Sequence, residues 1–411
     1  MKKLSRHFWQ FPWKQKQAFV IALCFPIVGL LLDLVTGRNS VWIPQFPFNL
    51  VIFLLFIASI GLISFFYKKS QLVQFLSGIP ATISSITVFI AVLLLMGLIP
   101  QHPESSPFAI QLRLNDILHS GIFLFSLIYL LIILTFTIFT RIYPFRWRNM
   151  GFLLNHIGLL IILGGATMDS SDLYRLKMVC GYNTPIWYGT NQDGKQYKLP
   201  FAVELKKFHI DYYDPELVLI DRESNEAVKT KVKPDAYIKK GKTIKFDDKI
   251  KVTIDTFYRH AFESKKIFLP AERPGNTQAV KVRVYETESK KTVKGWVSAG
   301  SFIQYPHRIK LKHYDLGLAP PKPKKYSSEF KLYEPDQEPR TITLVVNKPV
   351  RSMGWKLYQV SYDTRKGKWS EYTVIEAVKD PWLPLVYIGF FMLLAGVFLL
   401  TWQSANWNRN G

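Results

Sequence analysis

Hydrophobic residues are concentrated in six runs along this chain, and polar residues fill the stretches between them. The runs fall at 18–36, 48–67, 81–99, 120–140, 151–168 and 383–402. Each is close to the roughly 18–20 apolar residues that a helix needs to cross the hydrocarbon core of a bilayer. Between 169 and 382 no run reaches that length. The pattern therefore predicts a membrane α-helical protein with six spans and one large domain inserted before the last span.

The stretch 169–382 has the residue pattern of strands. Its segments alternate between apolar and polar residues or are rich in β-branched and aromatic residues, as in LPFAVELKKFHIDYY, KIKVTIDTFY, QAVKVRVYE, HRIKLKHYD, RTITLVVNK and SEYTVIEAV. Turn signals such as DDK, RPGN and KKGK separate them. We expect an all-β domain of ten or so short strands, arranged as a sandwich or as an open barrel.

Lysine and arginine alternate in number from one short loop to the next, which predicts the orientation of the spans. The successive groups are Lys2, Lys3, Arg6, Lys14 and Lys16, then Arg38, then Lys68 and Lys69, then Arg113, then Arg141, Arg146 and Arg148. Because cytoplasmic loops carry the excess of positive charge, both termini are expected in the cytoplasm. The domain 169–382 is then expected on the outer, periplasmic side of the cell (inner) membrane.

Four regions follow from this layout. Residues 1–80 are expected to form a cytoplasmic N-terminal anchor, with Trp9, Phe11 and Trp13 at the interface, and an extra two-helix hairpin. Residues 81–168 form a core three-helix membrane region, and 169–382 form the extracytoplasmic β-domain. Residues 383–411 form the last transmembrane helix and a short cytoplasmic tail.

The net charge of +23 comes mainly from the domain 169–382, which holds 40 of the 53 Lys and Arg and 27 of the 30 acidic residues. A basic domain on the outer side cannot meet the chromosome, and no zinc-finger, RRM or helix-turn-helix pattern is present. We therefore expect no nucleic-acid partner. The charge suits membrane lipid headgroups or an acidic partner protein, and an ordinary solvated surface accounts for it equally well.

The sequence has no motif for catalysis on its own. G-x-S-x-G, H-E-x-x-H and the P-loop are all missing. The two cysteines, Cys24 and Cys180, form neither C-x-x-C nor C-x-x-C-H, so the chain is expected to be neither a thiol reductant nor a c-type cytochrome, and no internal disulfide is expected. The histidines of the β-domain, His209, His260, His307 and His313, are scattered among strands and predict surface or packed side chains.

His156 is the one ionisable side chain inside the run 151–168. An imidazole at membrane depth is costly unless a partner compensates it, and neutral imidazole is a frequent ligand of metals and of haem iron. Three interpretations stay open from the residue alone. It packs with a hydrogen bond to a neighbouring helix, with Asn155 as a co-donor; it binds haem or a metal; or it relays protons. Because Asp33 is the only acid near membrane depth, proton relay is the weakest of the three.

Several neighbours of His156 have two interpretations each. Arg146 and Arg148 suit either anchors of topology or contacts to haem propionates. The small residues Gly158, Gly164, Gly165 and Ala166 allow the close approach of another helix or of a flat ligand. His102 and His119, in the loop 102–119, are expected at the outer interface as solvated side chains, with a second haem-facing role as the alternative.

Four segments carry a resemblance to a known family. GLIPQ ends the third span, NHIGLLIILGGA contains His156, LPFAVELKKFHIDYY opens the β-domain, and GWKLYQVSYD followed by VKDPW leads into the last span. In this order they resemble the ResB (CcsB) family of cytochrome c biogenesis proteins, of the System II haem-attachment pathway. The resemblance covers roughly 81–402 and leaves the first two spans without an assigned role.

The resemblance implies a function for the chain. It would be one subunit of a cytochrome c synthase complex that moves haem b across the membrane and attaches it to C-x-x-C-H motifs of apocytochrome c. Its partner would be a polytopic haem-handling protein of the CcsA (ResC) type, and His156 would be an axial ligand of the haem iron in transit. The alternative is a non-catalytic scaffold that docks apocytochrome or partner, with His156 only packing. A transporter for another solute is disfavoured by the shortage of polar residues at membrane depth.

Overall fold

The computed structural model describes residues 12–36, 43–102, 104–228, 238–246 and 249–407. Some residues of the expectations above lie outside these ranges. They are the charges Lys2, Lys3, Arg6 and Arg38, the anchor residues Trp9 and Phe11, the turn residues Asp247 and Asp248, and the tail 408–411.

In the described ranges, six helices are long and apolar enough to cross a membrane, in agreement with the six predicted spans. The helices are α1 (Gln15–Thr36), α2 (Phe48–Phe66), α3 (Gln71–Leu76), α4 (Ile79–Leu98), α5 (Pro107–Gln111), α6 (Gly121–Ile142), α7 (Met150–Asp169) and α8 (Leu383–Trp407). The short α3 and α5 lie in the loops after the second and third spans. The largest departure from the predicted runs is at α8, which continues to Trp407.

The chain forms two compact units, of which one contains residues 1–173 and 380–411 and the other is Tyr174–Lys379. In the first unit α6 is the central helix and packs against α1, α2, α4 and α7. Its N-terminus is fixed by α1, because the Gly121 amide donates to Oδ2 of the buried Asp33 at 2.7 Å. The acid near membrane depth therefore caps a helix, which accounts for Asp33 without a proton pathway.

α7 and α8 lie against each other along their glycines. A Cβ atom on Gly158 would be 2.5 Å from the Gly389 carbonyl oxygen, and one on Gly396 would be 2.5 Å from the Asn155 amide nitrogen. Such backbone contact needs residues without side chains, as in other close-packed membrane helices. Gly165 faces Val386 of α8, and Gly164 meets the Phe53 ring of α2.

One buried carboxylate joins three helix ends of this unit. Asp172, which follows α7, accepts hydrogen bonds from Asn49 Nδ2 of α2 at 2.6 Å and from Trp382 Nε1 at 2.8 Å. It also accepts from the Phe46 amide at 2.9 Å. Trp382 precedes α8, whose first turn is capped by the Asp380 carboxylate on the Leu383 amide at 2.7 Å. The D-P-W sequence thus starts the last span and ties it to the end of α7.

The second unit is a large antiparallel β-region, in agreement with the predicted β-domain. Its strands are β1 (Tyr174–Gly181), β2 (Ile186–Thr190), β3 (Gln196–Tyr212), β4 (Leu217–Asp221), β5 (Thr243–Phe246), β6 (Ile250–Ser264), β7 (Ile267–Pro270), β8 (Thr277–Glu286), β9 (Lys291–Ser298), β10 (Ile309–Lys310), β11 (Tyr314–Leu318), β12 (Pro323–Tyr333), β13 (Arg340–Val345), β14 (Val350–Ser352), β15 (Trp355–Tyr362) and β16 (Tyr372–Lys379).

Three sheets contain these strands. An eight-stranded sheet has the order β13-β12-β3-β2-β1-β16-β15-β14, a three-stranded sheet has the order β10-β11-β4, and a third has the order β5-β6-β8-β9 with β7 paired to β6. The expectation of ten or so short strands was too low. Strands of two to four residues, such as β10 and β14, are too short to show alternation, whereas β3 has 17 residues.

The two largest hydrophobic cores of the β-unit hold the sheets. Leu205, Phe330, Leu344 and Leu357, from β3, β12, β13 and β15, meet in the core of the eight-stranded sheet. The other two sheets share a second core, which includes Val252, Val282 and Leu316. Side chains of these strands alternate between buried and exposed, as Val280 to Val284 of β8 illustrate. Each core therefore comes from the apolar faces of several strands brought together.

Candidate functional site

His156 lies two turns into α7 and is half-buried. Its Nδ1 atom is 2.9 Å from the backbone carbonyl oxygen of Phe152. A carbonyl oxygen only accepts hydrogen bonds, so Nδ1 carries the proton and donates. The other ring nitrogen, Nε2, then holds the lone pair in the neutral imidazole. Within the described part of the chain, Nε2 has no hydrogen-bond partner.

The imidazole is held in place by a stack of side chains. Its ring lies over the Phe152 ring, with 3.7 Å between centroids and 23° between planes. The Arg141 guanidinium carbon lies 5.4 Å from the centroid of the same phenyl ring. Arg141 lies in the last turn of α6, and its positive charge is linked to His156 through the Phe152 ring that lies between them. The arrangement fixes both the tautomer and the plane of His156.

His156 does not face α8. It is two residues from Gly158, which corresponds to about 160° around the helix axis, and Gly158 is in backbone contact with α8. The sequence allowed Gly158, Gly164 and Gly165 to meet either a helix or a flat ligand, and the structure assigns all three to helix packing. Ala166 is exposed. The side chain of His156 therefore lies away from the glycine contact, between α6 and the open face of α7.

The residues that the sequence suggested as neighbours of His156 lie in different places in the structure. Asn155 touches α8 through its backbone, and no hydrogen bond joins its side chain to His156 among the described residues. Arg146 and Arg148 are exposed; Arg146 precedes a short 3-10 helix, Trp147–Asn149, and Arg148 lies within it, just before α7. Asn149 links this turn to α6 by donating to the Arg141 carbonyl oxygen at 3.3 Å.

The two histidines of the loop before α6 differ in their hydrogen bonds. His102 Nδ1 accepts from the Glu104 amide at 3.1 Å, so its proton is on Nε2 in the neutral ring. His119 Nδ1 is 2.8 Å from Asp116 Oδ1 and therefore donates, which leaves its Nε2 lone pair available. Both side chains are exposed. Of the two, His119 alone has the carboxylate-oriented ring that metal-ligating histidines often show.

The β-unit contributes no metal centre within the described ranges, where no group of three or more His, Cys, Asp or Glu is close enough to hold an ion. His209, His307, His260 and His313 each lie near an acidic side chain. Cys180 is fully buried, and burial raises the pKa of its thiol to about 12. A thiol of that pKa stays protonated and unreactive at neutral pH.

The profile of the ResB-like family matches residues 146–291 and 271–371, which together make up more than half of the chain. The chain belongs to the ResB-like family. Membership indicates a role in cytochrome c biogenesis. The matched residues include the His156 helix, the opening of the β-region and the GWKLYQVSYD segment. A comparison with curated proteins gave no significant match.

Two features of the candidate site around His156 were not singled out from the sequence. Phe152 precedes His156 by four residues, a spacing that places two side chains on one face of a helix. The contact between the two rings could therefore have been predicted from the sequence. Arg141 was counted only as a loop charge. Its approach to Phe152 depends on how α6 and α7 are packed, and nothing in the local sequence specifies that packing.

Proposed function

We propose that this protein is the ResB-like subunit of a cytochrome c synthase complex, and that His156 coordinates the iron of haem in transit across the membrane. The observation that carries the proposal is the state of the imidazole. Nδ1 donates to the Phe152 carbonyl oxygen at 2.9 Å, and Nε2 has no partner among the described residues. Haem-ligating and metal-ligating histidines commonly have this pairing of one donated proton and one free lone pair.

The surroundings of His156 suit a bound porphyrin better than a packed side chain. A packed histidine at membrane depth would use both ring nitrogens, because an unpaired polar atom there is costly. Here residue 156 lies on the side of α7 away from the α8 contact, Nε2 has no partner among the described residues, and Arg141 supplies a positive charge close to the stack. Haem carries two anionic propionates, so a cation at the helix end favours its binding.

The same proposal gives the chain its orientation. The loops expected in the cytoplasm contain Lys14 and Lys16, then Lys68 and Lys69, then Arg141, and the positive-inside rule supports cytoplasmic termini in the cell membrane. His156 would then lie in the cytoplasmic half of α7, and the β-unit would face the periplasm. The partner would be a polytopic protein of the CcsA (ResC) type that supplies the opposing ligand, and apocytochrome c would receive the haem.

A scaffold function remains the second candidate, and one observation favours it. The chain has a folded β-unit of its own with two cores, and such a module can dock a partner or an apocytochrome without any contribution from His156. The two candidates make opposite predictions for conservative changes at residue 156.

Complementation of a gene-deletion strain separates them. Membranes carrying His156→Ala or His156→Gln should contain little mature cytochrome c, because neither side chain supplies an axial nitrogen ligand. Asn155→Ala, one residue away, is the matched control and should mature cytochrome c normally. Normal maturation with His156→Gln would reject the ligand role and leave the scaffold. Haem-stained gels and the reduced α-band of the cytochromes measure the outcome.

A further inference from the structure

β3 is longer than the strands beside it, and its last part has a strand neighbour on one side only. β12 pairs with β3 from Ala202 to Tyr212. On the other side, β2 reaches only Val203, and Tyr182 adds one bridge at Leu205. From residue 206 to 212, no strand in the described part of the chain pairs with this second side. A strand edge of this kind presents backbone groups that can pair with a further strand.

The backbone groups that face the open side can be identified. The Tyr213 amide, one residue past β3, donates to the Lys322 carbonyl oxygen at 3.0 Å, which places Tyr213 on the β12 side of the strand and Tyr212 on the open side. The backbone groups of successive residues in an antiparallel strand point alternately to its two neighbours. The amide and carbonyl of Ile210 therefore also point to the open side.

A trough runs along this edge. Two cavities of about 520 and 410 Å³ share six lining residues, namely His209, Ile210, Phe302, Lys366, Lys368 and Trp369. Consecutive residues of β3, from Phe208 to Tyr212, border the trough. Since neighbouring side chains of a strand point to opposite faces, a cavity bordered by all of them lies along the edge. The bordered strand is about 15 Å long at 3.3 Å per residue, the length of a short extended peptide.

The walls of the trough suit a polypeptide. Aromatic side chains, which are enriched where proteins bind other chains, line it from three directions: Tyr212 on β3, Phe302 in the loop after β9, and Trp369 in the segment after β15. Its cations are compensated, because Arg259 pairs with Asp214, Lys366 with Glu371 and Lys368 with Glu272. A strongly charged ligand therefore gains little here.

Two buried polar atoms on these walls lack hydrogen-bond partners among the described residues. They are the Gln278 side-chain oxygen, an acceptor, and the Trp369 ring nitrogen, a donor. Gln278 is 7% exposed and borders the trough. Buried groups left unpaired are costly, and a peptide unit offers both a donor and an acceptor. With a modest rotation of each side chain, an entering peptide would satisfy both.

We propose that this trough binds an extended segment of an unfolded polypeptide, which adds as a strand to the open side of β3 at residues 206–212. Strand addition of this kind takes its affinity from backbone hydrogen bonds and its selectivity from side-chain pockets. In the proposed function the polypeptide is apocytochrome c awaiting haem, and that identification rests on the proposed function. The strand site itself rests on the β-unit alone.

Peptide binding to the full chain, purified with its polytopic partner in nanodiscs, tests the proposal. The probe is a fluorescein-labelled twelve-residue peptide that contains C-x-x-C-H with both cysteines replaced by serine. A series of such peptides carries one backbone N-methyl group at each position in turn. We expect binding to weaken about tenfold at every second position of a short central run. No binding, or an equal effect at all positions, would overturn strand addition.

Two variants of one loop provide matched controls. Phe302 lines the trough, whereas Tyr305 is 88% exposed and lies outside it. Phe302→Ala should weaken binding about fivefold to tenfold, and Tyr305→Ala should leave it unchanged. Equal losses of peptide affinity in the two variants would contradict the proposed binding site. In the unaltered protein, amide exchange at Ile210 should slow when peptide is added, and an unchanged rate would also count against it.

A third comparison separates this site from the proposed function. His156→Ala should bind the peptide with unchanged affinity while cytochrome c maturation is lost. If maturation proceeds without the chain but the N-methyl series is periodic, the proposed function fails and the strand site stands. If maturation requires His156 but N-methylation has the same effect at every peptide position, the strand site fails and the proposed function stands. A dimer that forms through β3 and is dissolved by the peptide would identify a second copy as the native occupant and overturn the apocytochrome assignment.

Discussion

Replacing Asp172 with alanine is expected to destabilise the membrane unit more than any other single change of a surface or loop acid. Asp172 is 6% exposed, and its carboxylate accepts from three donors on two other segments: the Phe46 amide and Asn49 at the start of α2, and Trp382 before α8. Each buried donor left without an acceptor costs about 1–3 kcal/mol. Because water can occupy part of the cavity left by the shorter side chain, we expect Asp172→Ala to lower the free energy of unfolding by about 3–6 kcal/mol in total.

Unfolding of the purified protein in mixed micelles, followed by tryptophan fluorescence, measures this loss. Asp172→Asn keeps one acceptor oxygen and the shape of the side chain, so it should cost about 1–2 kcal/mol. Asp116→Ala is the matched control, since its carboxylate is 43% exposed and, among the described residues, forms an ion pair with the exposed His119 ring alone; it should cost less than about 1 kcal/mol. If Asp172→Ala were no more destabilising than Asp116→Ala, the carboxylate would not hold the helix ends together.

Three further predictions concern other parts of the chain. Gly158→Val should destabilise the membrane unit by at least about 2 kcal/mol, because its Cβ would meet the α8 backbone, whereas Gly97→Ala has open space and should be neutral in the same unfolding assay. A hydrogen bond from Lys206 is the main cause that holds the pKa of Glu204 below its ordinary value. The stability that ionised Glu204 contributes is therefore fully present above its ordinary pKa and is lost as the pH falls through the lowered pKa. Glu204→Gln should make the melting temperature depend less on pH between about pH 5 and 3. Phe152→Leu removes the ring stacked on His156, the proposed haem ligand, and should reduce haem retained per protein by about twofold to tenfold, read from the absorption spectrum.

The spans were predictable because length and apolar composition suffice to define them. The ends of α2, α4, α6 and α7 lie within two residues of the predicted runs. The joints between spans were not predictable, because each depends on residues far apart in the chain. Asp172 and Trp382 are separated by 210 positions, and no local pattern indicates that they bond.

In the β-unit, too, local features were predictable from the sequence and long-range pairings were not. The long strands β3, β6 and β8 contain segments read as strands from alternation, whereas β10 and β14 are too short for any period to appear. The grouping into three sheets and two cores follows from pairings between distant strands. The open side of β3 could not be seen in the sequence, since it exists only because β2 ends before β3 does.

At the candidate site, the sequence identified the residue but not its setting. His156 was evident as the ionisable side chain of an apolar run. Whether Gly158 meets a helix or a ligand cannot be decided from composition, because both uses require a small residue. Asp33 was counted only as the one acid near membrane depth, and its bond to the Gly121 amide explains it as a cap of α6. Tertiary packing decided each of these alternatives.

The central claim, that the imidazole nitrogen Nε2 of residue 156 binds haem iron, is tested most directly by the absorption spectrum of the purified membrane complex. The unaltered complex should show a Soret band. In His156→Ala the band should fall by at least about tenfold and should return in part when imidazole is added to occupy the vacated coordination position. A Soret band of unchanged position and intensity in His156→Ala would contradict the claim.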